Sequence, residues 1–403
     1  MSLYGMLRTG VSGMNAQSNK LSAISDNVAN SGTNGYKAAS TEFANLITSN
    51  NQTSYQSGAV STDVRYAISK QGNIAGTTSP TDLAVDGDGF FLVKQPDGSS
   101  APAMTRNGSF TFDAKSGNLV NNAGYSLLGY SLANGAPSGV LNGYAGLVPI
   151  NIQNMGLQAT PSTSGTLAMN LPDNAKVGDV KTTSISVYDT IGNEAKVNVS
   201  YTKTADSPSA AWTMTVTGPT SPPTSVMTTT TANLTFDKNG KLISSPSITL
   251  NFPNTGQSVS LDITGTTNVA AAFEPITADI NGKAPSAVSG VDIATDGIVY
   301  VTYENGSRSP AFQIPLAKFS SPDNLQPISG AAFMPTLESG NAQIGFGGSA
   351  GMGVVKSSAL ESSNVDMASE LTEMIVAQRD YTANSKVFQT GTELLDVLMN
   401  LKR

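Results

Sequence analysis

Apolar residues recur at alternating intervals of four and three at both ends of the chain, and at intervals of two through most of the middle. Leu3, Leu7, Met14, Leu21, Ile24 and Val28, with Gly10 and Gln17 completing the series, put six apolar residues in eight positions on one narrow helical stripe. That is the pattern of a helix packing along a partner. Met367, Leu371, Met374, Tyr381, Phe388, Leu395 and Met399, interrupted by Gln378, Ser385 and Thr392, repeat it at the other end with seven in ten. The second helix has start signals in Asn364 and Asp366, acidic Glu370 and Glu373 in its early turns, and Lys402 and Arg403 at its close. This order suits the helix dipole. The first helix is intrinsically weaker: Gly5, Gly10 and Gly13 each cost about 1 kcal/mol relative to alanine, so it needs a partner to form.

Between the ends the period becomes two, and turn residues recur at short intervals. Residues 90–94, 109–112 and 125–128 read as consecutive hairpin strands. A second set at 184–188, 196–201, 212–216, 233–236, 247–250 and 260–263 reads as a separate sandwich or barrel. Stretches rich in Pro, Ser, Thr and Gly at 159–165, 218–231 and 282–290 mark loops or borders, and 345–353 marks a joint before the last helix. If the two terminal helices pair, every domain between them is inserted, because the chain leaves the helical layer and returns to it. The expected fold is mainly β with α-helical N- and C-termini, with two β-rich domains nested between paired helices.

Composition agrees with turn-rich β structure. The chain has 403 residues, enough for two to four domains, and 39 Gly and 20 Pro. Only 13% of residues are charged, about half the usual share. The net charge of -7 is dispersed and no Lys/Arg cluster forms a footprint for a phosphate backbone. Nucleic acid is therefore not an expected partner. The run from Leu3 to Leu7 is broken at once by Arg8, Thr9 and Gly10, which excludes the apolar core of a cleavable signal. No stretch approaches the ~20 apolar residues of a membrane span, so the expectation is a chain that does not insert in membranes and is cytoplasmic or exported without signal removal.

With no His and no Cys, Ser-His-Asp and Cys-His chemistry, disulfides and N/S zinc sites are impossible. Asp86, Gly87, Asp88 and Gly89 resemble the start of a calcium loop, but Phe90 and Phe91 stand where such a loop needs a ligand and a glycine. The tight turn before a strand is the better reading. Asp237, Lys238, Asn239 and Gly240 likewise read as a hairpin turn. No catalytic, cofactor or metal residue is singled out, and no cofactor is expected.

Two motifs at opposite ends carry a resemblance. Asn27, Val28, Ala29 and Asn30, followed by Thr33, Gly35, Tyr36 and Lys37, resemble the N-terminal motif of flagellar rod and hook proteins. Leu360, Glu361, Ser363, Asn364, Val365, Asp366, Met374, Ile375, Gln378, Arg379, Tyr381, Asn384 and Lys386 resemble the C-terminal motif of the same family. Gly89, Phe90, Phe91, Thr105, Arg106, Gly108, Phe110, Gly117, Leu119, Val120, Leu128 and Gly129 resemble its first β domain, with Ile314, Leu316, Ala317 and Phe319 as the returning half. The stretch 45–58 departs from the family pattern.

The resemblance implies residues 1–30 and 364–403 as terminal helices in an inner tube layer, 31–80 and 350–363 as a connector, 81–146 and 286–349 as a first β domain, and 147–285 as an outer β domain. It implies a non-enzymatic subunit of the bacterial flagellar hook. That subunit self-assembles into a flexible helical tube, a universal joint transmitting torque from rod to filament for motility. Implied partners are further copies of the chain, the distal rod, the hook cap, the hook-filament junction proteins and the flagellar type III export apparatus, with an extracellular location and no cleaved signal peptide. The helix stripes and the motif residues 27–37 are the expected assembly site. Residues 27–37 also read as a simple helix end, with Asn30, Gly32 and Gly35 as breakers. Length and the additional β segment favour the hook over a distal rod subunit. A secreted β-rich adhesin and a carboxylate hydrolase are the readings from other classes.

Overall fold

The computed structural model describes residues 3–45, 59–96, 101–133, 135, 143–153, 155–206, 210–219, 227–244, 246–253, 255–349 and 351–400. Residues 46–58 of the stretch that departs from the family pattern, and the basic pair Lys402 and Arg403, lie outside them. The chain forms two compact units. One comprises Met1–Asn154, Val291–Val301 and Pro310–Arg403, the other Met155–Gly290 and Thr302–Ser309.

In the first unit, helix α1 (Leu3–Ala29) pairs with helix α2 (Met367–Asn400). Asp366 caps α2, its Oδ1 accepting from the amides of Ala368 at 3.0 Å and Ser369 at 3.4 Å. Asn364, expected beside it as a start signal, is used elsewhere. Helix α1 ends where the Asn30 side chain donates back to the Asp26 carbonyl at 2.9 Å. The chain then turns at Gly35, whose φ of +71° favours glycine and where a Cβ would sit 2.4 Å from the Asn107 nitrogen.

Beyond the turn, strand Ala39–Asn45 pairs antiparallel with Val60–Tyr66. This ribbon is fastened to α1 by Ser12, which bonds both backbone groups of Val60 at 2.8 Å, and by Asn19, which donates to Thr62 at 2.8 Å. Outgoing and returning chain then run side by side: Ile74–Gly76 pairs with Ala359–Glu361, and Leu83–Asp86 with Val354–Ser357. The turn at Asp86 to Gly89 has φ of +102° at Gly87 and +130° at Gly89. Its two carboxylates go to different lysines, Asp86 to Lys356 at 2.7 Å and Asp88 to Lys318 at 2.8 Å.

The β core of this unit centres on Phe90–Lys94, paired with Ala103–Thr105, with Ser126–Ser131 and with the returning strand Pro315–Lys318. Phe90, Leu92, Met104, Leu128, Phe319, Phe333 and Ile344 close the core, and Phe90 packs edge-on against Phe319 and Phe333 at 6.3 and 6.1 Å. Halves of the sequence more than 200 residues apart therefore share one core. The stretch 345–353, expected as a joint, carries a turn in which Gly348 donates to Gly353 at 3.0 Å, and Leu147–Pro149 pairs with Ser126–Ser131.

The second unit is a sandwich. A four-stranded sheet runs Val180–Tyr188, Glu194–Ala205, Ala211–Thr217, Thr230–Thr235, and a five-stranded sheet is built around Ser164–Pro172. Alternate residues point inward; along Glu194–Ala205 these are Ala195, Val197, Val199, Tyr201 and Lys203. They meet Leu250, Phe252, Val259 and Leu261 of the facing sheet around Trp212, which donates to Asn268 at 3.0 Å. Asp237 accepts from the amides of Asn239 and Lys241 at 2.8 Å, forming the hairpin turn read from the sequence.

Candidate assembly site where the chain ends meet

The helices run antiparallel. Leu7 lies against Gly391, Gly10 and Gly13 against Asn384 and Phe388, and Lys20 pairs with Glu373 at 3.2 Å. Two of the glycines that weaken α1 by propensity face α2, and at Gly13 the approach is tight: a Cβ there would lie 2.9 Å from the Asn384 side chain. Helix propensity at Gly13 is given up for room to seat the Asn384 side chain.

The predicted stripe of α1 faces inward along its described length. Ile24 is buried, and Leu7, Met14, Leu21 and Val28 are half-buried; the Leu3 side chain lies outside the described residues. In α2 only part of the predicted stripe does so. Met374, Phe388 and Leu395 are half-buried, whereas Leu371, Gln378, Tyr381 and Met399 are exposed, as are Ile375 and Arg379. The inward line of α2 instead runs through Glu370, Met374, Ala377, Asn384, Phe388, Gly391 and Leu395. Small and polar residues make much of that seam, and hydrophobic periodicity does not report them. Arg379 pairs with the adjacent Asp380, at 3.3 Å on the surface.

Where α1 ends, Asn27 is 1% exposed and both ends of its amide are satisfied. Its Nδ2 donates to the Ala39 carbonyl at 2.7 Å and to Glu370 at 2.9 Å, and its Oδ1 accepts from the Ala39 amide at 2.8 Å and the Tyr36 hydroxyl at 3.2 Å. One side chain thus joins α1, the connector and α2. Thr33 donates to Asn30 at 3.2 Å, holding the intervening turn. Asn364 performs the matching role from the other end, accepting from the Ala38 amide at 2.8 Å and donating to the carbonyls of Ala67 and Lys70 at 2.9 and 3.0 Å.

Beneath this clasp lies a buried ion triad. Glu361, 1% exposed, receives Lys37 at 2.6 Å on one oxygen and Arg106 at 3.0 Å on the other. The Gly72 amide also donates to it, at 2.9 Å. Lys37 bonds the Lys70 carbonyl at 2.7 Å, and Arg106 bonds the carbonyls of Val85 and Gly87 while covering the Phe90 ring at 5.0 Å. Connector, returning strand and first β domain are pinned at a single carboxylate. Burial lowers the Lys37 ammonium below its ordinary range, opposed by Glu361. Burial, helped by Asp26, Tyr66 and Glu370, pushes the Tyr36 hydroxyl up to about 12. Burial also raises the Glu370 carboxyl, opposed by the Asn27 hydrogen bond. Glu361, Arg106, Asn364 and Glu370 were visible in the sequence as motif or helix-start residues, but nothing in their spacing marked them as one site.

The contacts of Asn27, Asn364 and Glu361 tie distant segments of the chain to one another, the arrangement of a structural protein whose two ends are fastened into one helical arm. The comparisons agree along the chain. Residues 7–37 match the family "Flagella basal body rod protein", 84–187 the "Flagellar hook protein FlgE/F/G D1 domain", 156–283 the "Flagellar basal body protein FlaE D2 domain" and 356–401 the "Flagellar basal body rod FlgEFG protein C-terminal". The flagellar hook protein FlgE of Rhizobium meliloti is 48% identical, with all of both chains covered. That of Salmonella typhimurium is 32% identical over 97% of this chain and 98% of its own. The crystal structure of Helicobacter pylori flagellar hook protein FlgE2 overlaps with a TM-score of 0.47 at 14% identity, over 72% of this chain and 100% of that one. The chain belongs to the flagellar hook protein family. It is a non-enzymatic structural subunit that assembles into the hook of the flagellum.

Proposed function

We propose that the subunit builds a flexible tube acting as a universal joint between rod and filament, with its labour divided along the chain. Residues 1–30 and 364–403 form the inner layer, 31–80 and 350–363 the connector, 81–146 and 286–349 the first β domain, and 147–285 the outer one. The observation that carries this reading is the incomplete burial of α2: Leu371 is 47% exposed, Ile375 68% and Met399 74%. Apolar side chains left on a helix already paired on one side favour further helices, supplied by other copies. Head-to-tail contacts of this kind generate an open helix. Polar Ser/Thr/Asn faces on the outer β domains suit wet contacts that slide at low cost as the tube bends.

Within this scheme the predicted stripe residues and the motif from Asn27 to Lys37 are the assembly site, with Tyr36 and Lys37 setting the direction in which the chain leaves the helices. Type III export without signal cleavage, an extracellular location, and contacts with the distal rod, hook cap and hook-filament junction proteins belong to the same reading. Limited proteolysis of the monomer, then polymerisation of intact and trimmed chains, tests it. Readily cut ends and a trimmed core that no longer assembles are expected. Trimmed cores that still form tubes, or intact chains that form none, overturn it; straight, stiff tubes assign the chain a rod-like role instead.

A further inference from the structure

Helix α1 carries a second face, about half a turn from the one that meets α2. Gly10, Gly13 and Lys20 point to α2, whereas Tyr4, Arg8, Val11 and Asn15 line a groove of about 540 Å³ closed on its far side by Val60 and Thr62 of the connector ribbon. Leu7, Val11, Ala16 and Val60 line the groove among Ser12, Asn15 and Asn19, and the apolar surface around it is exposed: Tyr4 is 78% and Val11 39% accessible, and Phe43 and Val64 on the ribbon are 44% and 46%. By register Phe43 opposes Thr62 and Thr41 opposes Val64, so these side chains share the ribbon face that carries Val60.

The end of α2 shows the reciprocal surface. Leu394, Val397, Leu398 and Met399 are 47, 56, 55 and 74% exposed, and the exposed acids Glu393 and Asp396 lie among them. Among the described residues Arg8, Glu393 and Asp396 have no ion pair or hydrogen bond. A basic group in an apolar groove and two acids in an apolar helix end are complementary in sign and in kind. The chain's own α2 cannot fill the groove, because it already occupies the opposite face of α1. A second copy of the chain can supply that helix end.

We infer that the last turns of α2 of one subunit dock in the groove between α1 and the connector ribbon of a second subunit. Arg8 meets Glu393 or Asp396 across the contact, and α1 is sandwiched between its own α2 and a neighbour's. This rests on the polymer reading above and specifies which surfaces meet. It is heterologous, each copy offering a groove to one neighbour and a helix end to another, so it propagates rather than closes.

The chain has no Cys, which makes a crosslinking test clean. Full-length chains carrying Val11→Cys and Val397→Cys, each on the helix face of its charged partner (Arg8 and Glu393), are prepared separately, mixed, polymerised and mildly oxidised. The expected result is a covalent dimer in mixed tubes and none in tubes of either variant alone. Mixed tubes without the dimer overturn the docking and leave the hook reading standing. Wild-type chains that form no tubes under the same conditions overturn both. As a second readout, Arg8→Glu is expected to lower tube yield at least tenfold with the monomer's helical circular dichroism unchanged. Adding Glu393→Arg and Asp396→Arg is expected to restore yield to within threefold. An Arg8→Glu chain that assembles normally, or a charge swap that restores nothing, rejects the pairing.

Discussion

The sandwich of the second unit and the helix pair of the first are both amphipathic, yet only the sandwich hides its apolar face. Val199, Trp212, Leu250 and Val259 have no exposed surface, while α2 buries only Ala377 and Gly391 among its described residues. The difference is geometric. Two sheets each present one broad apolar face and cover each other completely. Two helices meet along one narrow seam, and any apolar residue off that seam stays wet until another surface arrives. The sandwich is finished within one chain; the helical arm, on the reading proposed here, is finished by its neighbours.

The comparison breaks most readily at Glu361. Glu361→Ala leaves Lys37 and Arg106 buried without their counter-charge, a loss of about 3–5 kcal/mol. Trp212 is the single tryptophan, so its fluorescence reports the sandwich alone while calorimetry reports both units. The first unit's transition should fall with the tryptophan midpoint unmoved; a common shift would mean the two regions unfold together. Leu250→Ala is the mirror experiment, costing about 2–5 kcal/mol. It should lower the tryptophan midpoint while the helices and the tubes they form below that temperature persist.

Tyr36 sharpens the comparison at the joint. Tyr36→Ala removes the hydroxyl bonded to Asn27 and should impair tube formation while sparing both β cores, read by electron microscopy beside calorimetry. Its ionisation adds a pH signature. The hydroxyl titrates near 10 when unfolded and at about 12 when folded. The stabilisation is therefore complete below pH 10 and lost as pH rises towards 12. Tyr36→Phe should flatten that loss relative to wild type.

The smallest effects lie in the helices. A Cβ at Gly10 would sit 3.6 Å from the Asn384 carbonyl, an ordinary contact, so Gly10→Ala should stabilise α1 by up to about 1 kcal/mol. Greater helicity in the monomer checks it. Glu370→Gln keeps an acceptor for Asn27 and removes a charge that burial disfavours, so at pH 7 its thermal midpoint should be unchanged or slightly raised. The wild type should gain relative to this variant as pH falls through the raised Glu370 value, because protonation relieves the same cost in the folded state.

The two halves of the helix pair were not equally legible. In α1 the four-three stripe lies inward from Leu7 to Val28, because aliphatic side chains there are both periodic and used. In α2 the most apolar line and the seam diverge: Leu371, Tyr381 and Met399 lie outside, and Ala377, Asn384 and Gly391 inside. Periodicity registers which residues gain by leaving water, whereas this seam is set by where small residues admit the partner helix. Likewise Asn364 reads as a helix start, since amides cap helices, but only the fold places the carbonyls of Ala67 and Lys70 within its reach.

What the amino-acid order determined by itself is local: the helical ends, the alternating strands between them, the turn glycine at position 35, the cap at Asp366, and the exclusion of chemistry that needs His or Cys. Those features depend on a residue and its near neighbours. The tertiary structure alone decided that Lys37 and Glu361, 324 positions apart, share a buried ion contact with Arg106, 255 positions from that glutamate. It also decided which face of each helix is covered and which is left open. Such pairings depend on how every intervening segment packs, and no local spacing encodes that.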